Sequence, residues 1–274
     1  EMPPNGHGIT VLMALNMLKG LEMGENRECA AAYHKMIEAT KLAFVDTKKF
    51  VADPRYMRTK VEDMLSDRYA GVRRALIGDK AVYPEAGDPS CGGTVYFCTA
   101  DGEGNMVSYI QSNYMGFGSG VVIPGTGISI QDRGANFSLD PESDNYLEGG
   151  KRSYHTIIPG FLAKDGRPVG PFGVMGGFMQ PQGHIQVIVN TVNYHMNPQE
   201  ALDAPRFQWV GERRVQLERE VPAHVAQGLA EMGHQVEIVN SNLDMGRGQI
   251  IWRTGEGALA GGTEPRADGS LAAW

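Results

Sequence analysis

Gly92-Gly93-Thr94 places two glycines directly before a β-branched hydroxyl residue, and an alternating, strand-like run follows. A threonine hydroxyl is a weak nucleophile that needs a base within hydrogen-bond reach. One solution requires no second side chain. If the peptide bond before Thr94 is cut, the freed α-amine sits on the same residue as the hydroxyl. Such an amine has an ordinary pKa of about 7.7–8.0, close enough to neutrality to accept and return a proton. Glycine at 93 also permits the backbone conformation and close approach that self-attack on the preceding carbonyl requires. The plain alternative is a tight turn. Gly-Thr pairs occur in many proteins, so the triplet alone does not separate the two.

Other patterns carry less. Gly116, Gly118 and Gly120 have the look of a phosphate loop, but Val121-Val122-Ile123-Pro124 follows where such a loop needs a helix N-terminus. A strand-to-strand turn fits better. Ser119, between two of these glycines, lacks the setting of a nucleophile elbow, which argues against a Ser-His-Asp hydrolase. His7, His34, His195, His224 and His234 lie in helical or turn contexts without partners at metal-ligand spacing, and they read as surface or internally satisfied residues. His155 and His184 differ, because each lies beside a Gly/Pro-rich stretch suited to a site loop; for His184 a helix-cap role is the alternative.

The elements that must position these residues divide near position 90. Apolar residues recur at Ile9, Leu12, Leu15 and Leu18, predicting a helix over 8–20 with Gly20 as its C-cap. Further helices are predicted over 27–46 and, as one or two short pieces, over 63–77. From Gly92 onward the texture changes. Strands are expected at 95–100 and 105–112, joined by a turn at Asp101–Asn105, and short strand-like pieces over 120–131. A hairpin turns at Asp165-Gly166. The stretch 181–196 is β-rich in composition, yet Pro181 at its start and Asn197-Pro198 at its end fit helix boundaries. A short helix around 197–205, a strand, a helix at 222–233, and strands at 234–239, 248–252 and 257–262 complete the chain. This order predicts a layered α+β fold with antiparallel pairing. The Gly/Pro/Asp/Ser-rich stretch 86–93 is the candidate linker.

Composition narrows the class. The chain has 274 residues, 42% hydrophobic and 21% charged, enough to bury a sizeable core. Its net charge of −7, without a basic run, argues against nucleic acid or an anionic membrane as partner. No stretch approaches the roughly 18 apolar residues of a membrane span. Cys29, Cys91 and Cys98 match no metal spacing, and Cys91–Cys98 pairing is disfavoured by a composition that suggests the cytoplasm. The N-terminal EMPPNGHGIT has no signal-peptide layout and reads as the middle of a longer protein.

Nine stretches, in order along nearly the whole chain, resemble the gamma-glutamyltransferase family of N-terminal-nucleophile hydrolases, especially its cephalosporin-acylase-like branch. They are MPPNGHGI (2–9), GGT (92–94), DGEGNMVS (101–108), FGSGVVIPGTGI (117–128), NFS (136–138), KRSYHTIIPG (151–160), GVMGG (173–177), EALDAPRF (200–207) and GGTEPR (261–266). The resemblance implies an αββα four-layer sandwich, only partly present, with antiparallel sheets between helical layers. It implies autocleavage before Thr94, so that 1–93 is the C-terminal part of a large subunit and 94–274 the small subunit. Thr94 then matches the nucleophile and Ser112 the hydroxyl residue that supports it. Gly176 and Gly177 match the pair whose N–H groups form the oxyanion hole. No cofactor or metal is implied. The implied partners are a small amide or γ-glutamyl substrate, the remainder of the large subunit, and a second copy in a homodimer.

Departures from the family pattern bear on the substrate. Asn136 stands where glutathione-using members have an acidic residue for the substrate ammonium, and His155 and Thr156 replace paired serines that grip the glutamyl carboxylate. Arg133 is a cation where those members are neutral or acidic. Loss of the carboxylate and gain of Arg133 point to an acyl group with an anionic end, such as a glutaryl or oxalyl amide. The alternative is that Arg133 belongs to a structural ion pair. A hydrolase, a transferase and a non-catalytic relative that keeps the fold all remain open at this stage. Only 93 residues precede Thr94 where the family has several hundred, so the chain reads as a piece of a precursor, its activity as it stands left open.

Overall fold

The computed structural model describes residues 1–84, 93–255 and 257–274. The candidate linker, apart from Gly93, falls outside these residues, as does Cys91 and with it any Cys91–Cys98 bond.

Helix α1 (Gly8–Leu18) is buried almost all round, and α2 (Ala30–Phe50) crosses it. The first ends before the predicted Gly20 cap, at Lys19. The second runs four residues beyond its predicted end. Lys48 and Lys49 in its last turn suit the negative end of the helix dipole. Two short helices follow, α3 (Val61–Met64) and α4 (Asp67–Arg74), and Ser66 caps α4 by accepting from the Tyr69 N–H.

Strands β1 (Gly93–Ala100) and β2 (Met106–Tyr114) form an antiparallel hairpin. The Asp101 carboxylate accepts from the Glu103 and Asn105 N–H groups, which closes its turn. Each strand reaches two residues beyond its predicted outer limit, because Gly93 pairs with Tyr114. Thr94 therefore lies inside the ladder rather than ahead of it. Residues 120–131 do not form the expected strand pieces; they make a looping excursion with a single bridge, Val122 to Ser129.

A four-stranded antiparallel sheet runs in the order β3 (Gly160–Lys164), β4 (Arg167–Met175), β8 (Arg247–Arg253), β9 (Leu259–Thr263). Between β4 and β8 in sequence come α5 (Met179–Val192), α6 (Pro198–Asp203) and a three-stranded sheet. That sheet comprises β5 (Phe207–Gly211), β6 (Arg214–Glu218) and β7 (Gln235–Val239), with α7 (Ala223–Glu231) between the last two. The β6–β7 pair is parallel, which corrects the expectation of uniformly antiparallel pairing. The connection through α7 supplies the crossover a parallel pair needs.

Period-two alternation in β4 stacks the layers. A side chain at Gly173 would meet the Tyr96 ring of β1 at 2.5 Å, and one at Gly183 of α5 would meet Val174 at 2.6 Å. The hairpin therefore packs on one face of the four-stranded sheet and α5 on the other. Helices α1 and α2 cover α5 in turn. Phe44 of α2 packs on Trp209 of β5, with ring centroids 5.8 Å apart. The architecture is the layered α+β arrangement expected, with two antiparallel sheets and one mixed sheet packed among helices.

Two of the quoted stretches meet in one buried network. Arg206 donates to Glu264 at 2.8 Å, and Arg266 bonds both Glu264 and Glu218. Glu264 also accepts from the Gly248 N–H. EALDAPRF and GGTEPR thus tie α6, β6, β8 and β9 together. No described helix is long and apolar enough to cross a membrane.

Candidate active site

The β1–β2 register shifts between Gly93 and Val95, so Thr94 occupies an irregularity at the strand mouth. Such bulges re-aim a side chain. The Thr94 hydroxyl donates to Ser112 Oγ at 2.9 Å, and the same oxygen accepts from the Tyr114 N–H at 2.8 Å. Tyr114 has φ +78°, an unusual conformation for a side-chain-bearing residue. Ser112 thus fixes both the Thr94 rotamer and the bend that follows β2.

Gly176 and Gly177 form the turn from β4 into α5, with φ +141° and +58°. Their carbonyls accept from Met179 and Gln180 as the helix begins. Pro181 lies inside the first turn of α5 rather than at its start, where its missing N–H costs nothing. The helix ends at Val192, short of the predicted limit.

Arg133, in a 3-10 turn (Arg133–Asn136), is 1% exposed. Its Nη1 donates to Thr156 Oγ1, and its guanidinium carbon lies 5.0 Å from the Tyr114 ring centroid. Its Nε and Nη2 are buried without hydrogen-bond partners. Among the described residues it forms no ion pair, so the structural ion-pair alternative lacks its carboxylate. Burial lowers its pKa to about 10, against the opposing pull of Tyr114 and Asp132. Thr156 is fully buried and serves to hold Arg133. His155 is half-buried; burial first, then the Arg133 cation, lowers its pKa to about 4, so it is neutral at ordinary pH. Its ring accepts from the Ile157 N–H. Asn136 donates to the Tyr154 carbonyl at 3.1 Å.

A cleft of about 600 Å³ has walls that include Lys48, Tyr114, Asn136, Tyr154 and Phe178; of the sequence-predicted site residues, Asn136 is the one on its wall. Phe178 directly follows the glycine pair, and Tyr114 pairs with the residue before Thr94. Asp132 also lines it, with one oxygen accepting from the Met115 N–H. Sequence reasoning passed over Lys48, Tyr114, Asp132, Tyr154 and Phe178. Adjacency to marked residues, for Asp132, Tyr154 and Phe178, is the signal that could have flagged any of them.

Four histidines among the described residues, His7, His34, His184 and His234, are buried. His7 is fully buried among Phe44, Tyr154 and Phe178, and burial holds its pKa well below the usual value. His184 accepts from the Val174 N–H and bonds the Glu1 carboxylate at 2.8 Å, a structural tie between α5 and β4 rather than a loop residue. His34 and His234 are buried and hydrogen-bonded at 2.7 Å, and with Glu38 their ligand atoms lie within 4.8 Å of one another. This corrects the reading that no partner exists at metal-binding distance. As a metal site the group fits poorly, because Lys41 Nζ already occupies Glu38 at 2.6 Å and His34 also bonds the Gly78 carbonyl. It is a buried polar knot, hydrogen-bonded except at His234 Nδ1.

The family model described as gamma-glutamyltranspeptidase matches residues 1–274. The glutathione hydrolase-like YwrD proenzyme of Bacillus subtilis is 36% identical over 277 residues, 98% of this chain and 53% of its own length. The oxamate amidohydrolase proenzyme of Klebsiella pneumoniae is 34% identical, covering all of this chain and 53% of that protein. The crystal structure of cephalosporin acylase from Bacillus halodurans superimposes with a TM-score of 0.94 at 59% identity, over all of this chain and 50% of that one. The chain spans about half the length of these relatives.

Proposed function

This chain belongs to the gamma-glutamyltranspeptidase family, and on that premise we propose that it carries the nucleophile of an autoprocessed amide hydrolase acting on acyl groups with an anionic end. The hydrogen bond from Thr94 to Ser112, at the one irregular point of the β1–β2 ladder and directly after Gly93, carries the reading.

In the maturation step Thr94 Oγ attacks the Gly93 carbonyl carbon. The Gly93–Thr94 peptide bond breaks, the nitrogen takes the hydroxyl proton, and an ester forms. Water hydrolyses the ester, leaving a carboxylate on Gly93 and a free amine and hydroxyl on Thr94. Residues 1–93 then close a large subunit whose remainder is the partner, and 94–274 are the small subunit. In turnover the amine accepts the hydroxyl proton as Oγ attacks the substrate amide. Gly176 and Gly177 N–H groups stabilise the oxyanion, a contribution of about 3–4 kcal/mol for one such donor. The proton passes to the leaving amine, and water releases the acyl group from Thr94.

Arg133 supports the substrate class. A buried cation with two unpartnered nitrogens is costly unless a ligand supplies the anion. Asn136 and His155 would line the acyl group, and Thr156 would hold Arg133 in place. A dicarboxylic monoamide, glutaryl or oxalyl, meets this requirement. A second reading is favoured by Asp132, which lines the same cleft and acts electrostatically on Arg133. Together they would suit the ammonium and carboxylate of a γ-glutamyl group, whether the acyl-enzyme passes to water or to an amine acceptor.

The test uses the full-length precursor. Intact mass should resolve two fragments split before Thr94, and Thr94→Ala should stay whole. The matured protein should hydrolyse glutaryl or oxalyl amides faster than γ-glutamyl ones. A wild-type chain that stays whole under folding conditions overturns the mechanism; the reverse substrate order selects the second reading.

A further inference from the structure

The turn that carries Gly176 and Gly177 is held from two sides. On one side lies Gly246, where a side chain would meet Val174 at 2.6 Å and the Met175 carbonyl at 2.9 Å. Arg206 fixes that side by donating to the Met245 and Gly246 carbonyls, both at 2.9 Å. The other side is closed by the His184 imidazole. Strand β3 pairs with β4 only as far as Phe172, so the Val174 N–H lies beyond the end of that ladder. It donates to His184 Nε2 at 2.9 Å. His184 reaches back from α5, and its bond to Val174 closes a loop of chain around the glycine pair.

A backbone N–H only donates, so Nε2 must accept and the ring proton must sit on Nδ1. The Glu1 carboxylate accepts from that Nδ1–H at 2.8 Å. Both side chains are almost shut off from water, His184 at 0% exposure and Glu1 at 4%. Gly8 makes room for this arrangement. A side chain there would meet the Met2 carbonyl at 2.7 Å and Glu1 Cβ at 3.0 Å. A carboxylate that fixes the tautomer of an imidazole also fixes the direction of its ring. Without His184 a buried N–H of β4 loses its acceptor, and without Glu1 the ring is free to turn away from it.

We propose that His184, oriented by Glu1, is a positioning residue for the oxyanion turn, setting where the Gly176 and Gly177 N–H groups stand relative to Thr94. This rests on the amide-hydrolase reading above. His184 acts through the backbone and not on the substrate. Placement of those donors counts as charge develops on the carbonyl oxygen, so its loss falls on kcat and leaves KM nearly unchanged.

The test is the hydrolysis of glutaryl or γ-glutamyl p-nitroanilide, whichever the matured, full-length protein turns over faster. In Glu1→Ala and His184→Leu, kcat should fall about 10- to 100-fold, the scale of a slightly misplaced reacting geometry, with KM changed less than about twofold. Glu1→Gln keeps an oxygen that accepts from Nδ1–H and should recover most of the loss. Unchanged kcat in folded Glu1→Ala overturns the proposal, as does a loss confined to KM or a Glu1→Gln as impaired as Glu1→Ala. Hydrogen exchange, read by mass on peptides covering residues 174–180, reports the turn without any turnover and should quicken in Glu1→Ala. A wild type that neither splits before Thr94 nor hydrolyses either amide sinks the hydrolase reading. In that event faster exchange at 174–180 in Glu1→Ala still supports His184 as the clamp of the turn, and unchanged exchange overturns it.

Discussion

A nucleophile and a charge anchor need opposite surroundings. Thr94 sits at a strand mouth with its hydroxyl held by Ser112 and its environment partly open. Arg133 is walled in by Tyr114 and Thr156 and is left with two unmatched donors. If those donors await a substrate carboxylate, Arg133→Ala should raise KM for a glutaryl nitroanilide by about tenfold or more over any effect on a butyryl one, since a charged hydrogen bond is worth about 1.5–3 kcal/mol. Arg133→Lys should recover part of it. Equal losses on both substrates would show that Arg133 only shapes the fold. Asp132→Asn separates the acyl classes: it should weaken γ-glutamyl substrates and spare glutaryl ones if Asp132 reads an ammonium. The threonine and the glycine pair were legible in marked stretches, and the serine through the family resemblance alone. Lys48, Tyr114 and Phe178 were not legible, because the cleft wall is assembled from segments far apart in the chain.

Elements are placed by contacts that allow little substitution. Gly173 exists so that Tyr96 can lie flat on β4, and Gly183 so that α5 can close on Val174. The Arg206–Glu264–Arg266–Glu218 network does the same with charge, holding the C-terminal strands to α6 and β6. Glu264 carries two guanidinium groups and the Gly248 N–H. Glu264→Gln should therefore cost about 3–5 kcal/mol, the penalty for leaving buried charge unmatched, and the midpoint of denaturant unfolding should fall accordingly. A shift below about 1 kcal/mol would mean that the arginines find other partners. Most helices and hairpins were predictable from apolar period and turn residues. The excursion over 120–131 was not, since its alternating apolar residues remain largely exposed rather than paired. Nor was the parallel β6–β7 pair, because strand direction is set by which face α7 covers.

Across the whole molecule, several histidines are buried and neutral. Burial lowers His7 well below its usual range, His155 to about 4 and His234 to about 3. The unfolded chain binds protons on these rings below about pH 6.5, whereas the folded protein does not until the lower values are reached. Their contribution is intact above pH 6.5 and is lost as pH falls toward about 4. The melting temperature should decline over that interval, and His234→Gln should flatten the decline. A wild-type profile flat from pH 7 to 4.5 would rule this out. The amino-acid order by itself determined the family and the layered α+β class, and it singled out the threonine proposed as nucleophile. Each of these depends on short-range pattern: turn glycines, apolar period, residues fixed in spacing by the backbone. Which charges stay unmatched, which rings wall the cleft and which histidines lose contact with water were decided only by tertiary structure. Burial and electrostatic pairing depend on distance in space, and residues 48, 114 and 178 share a cleft wall only after the layers have packed.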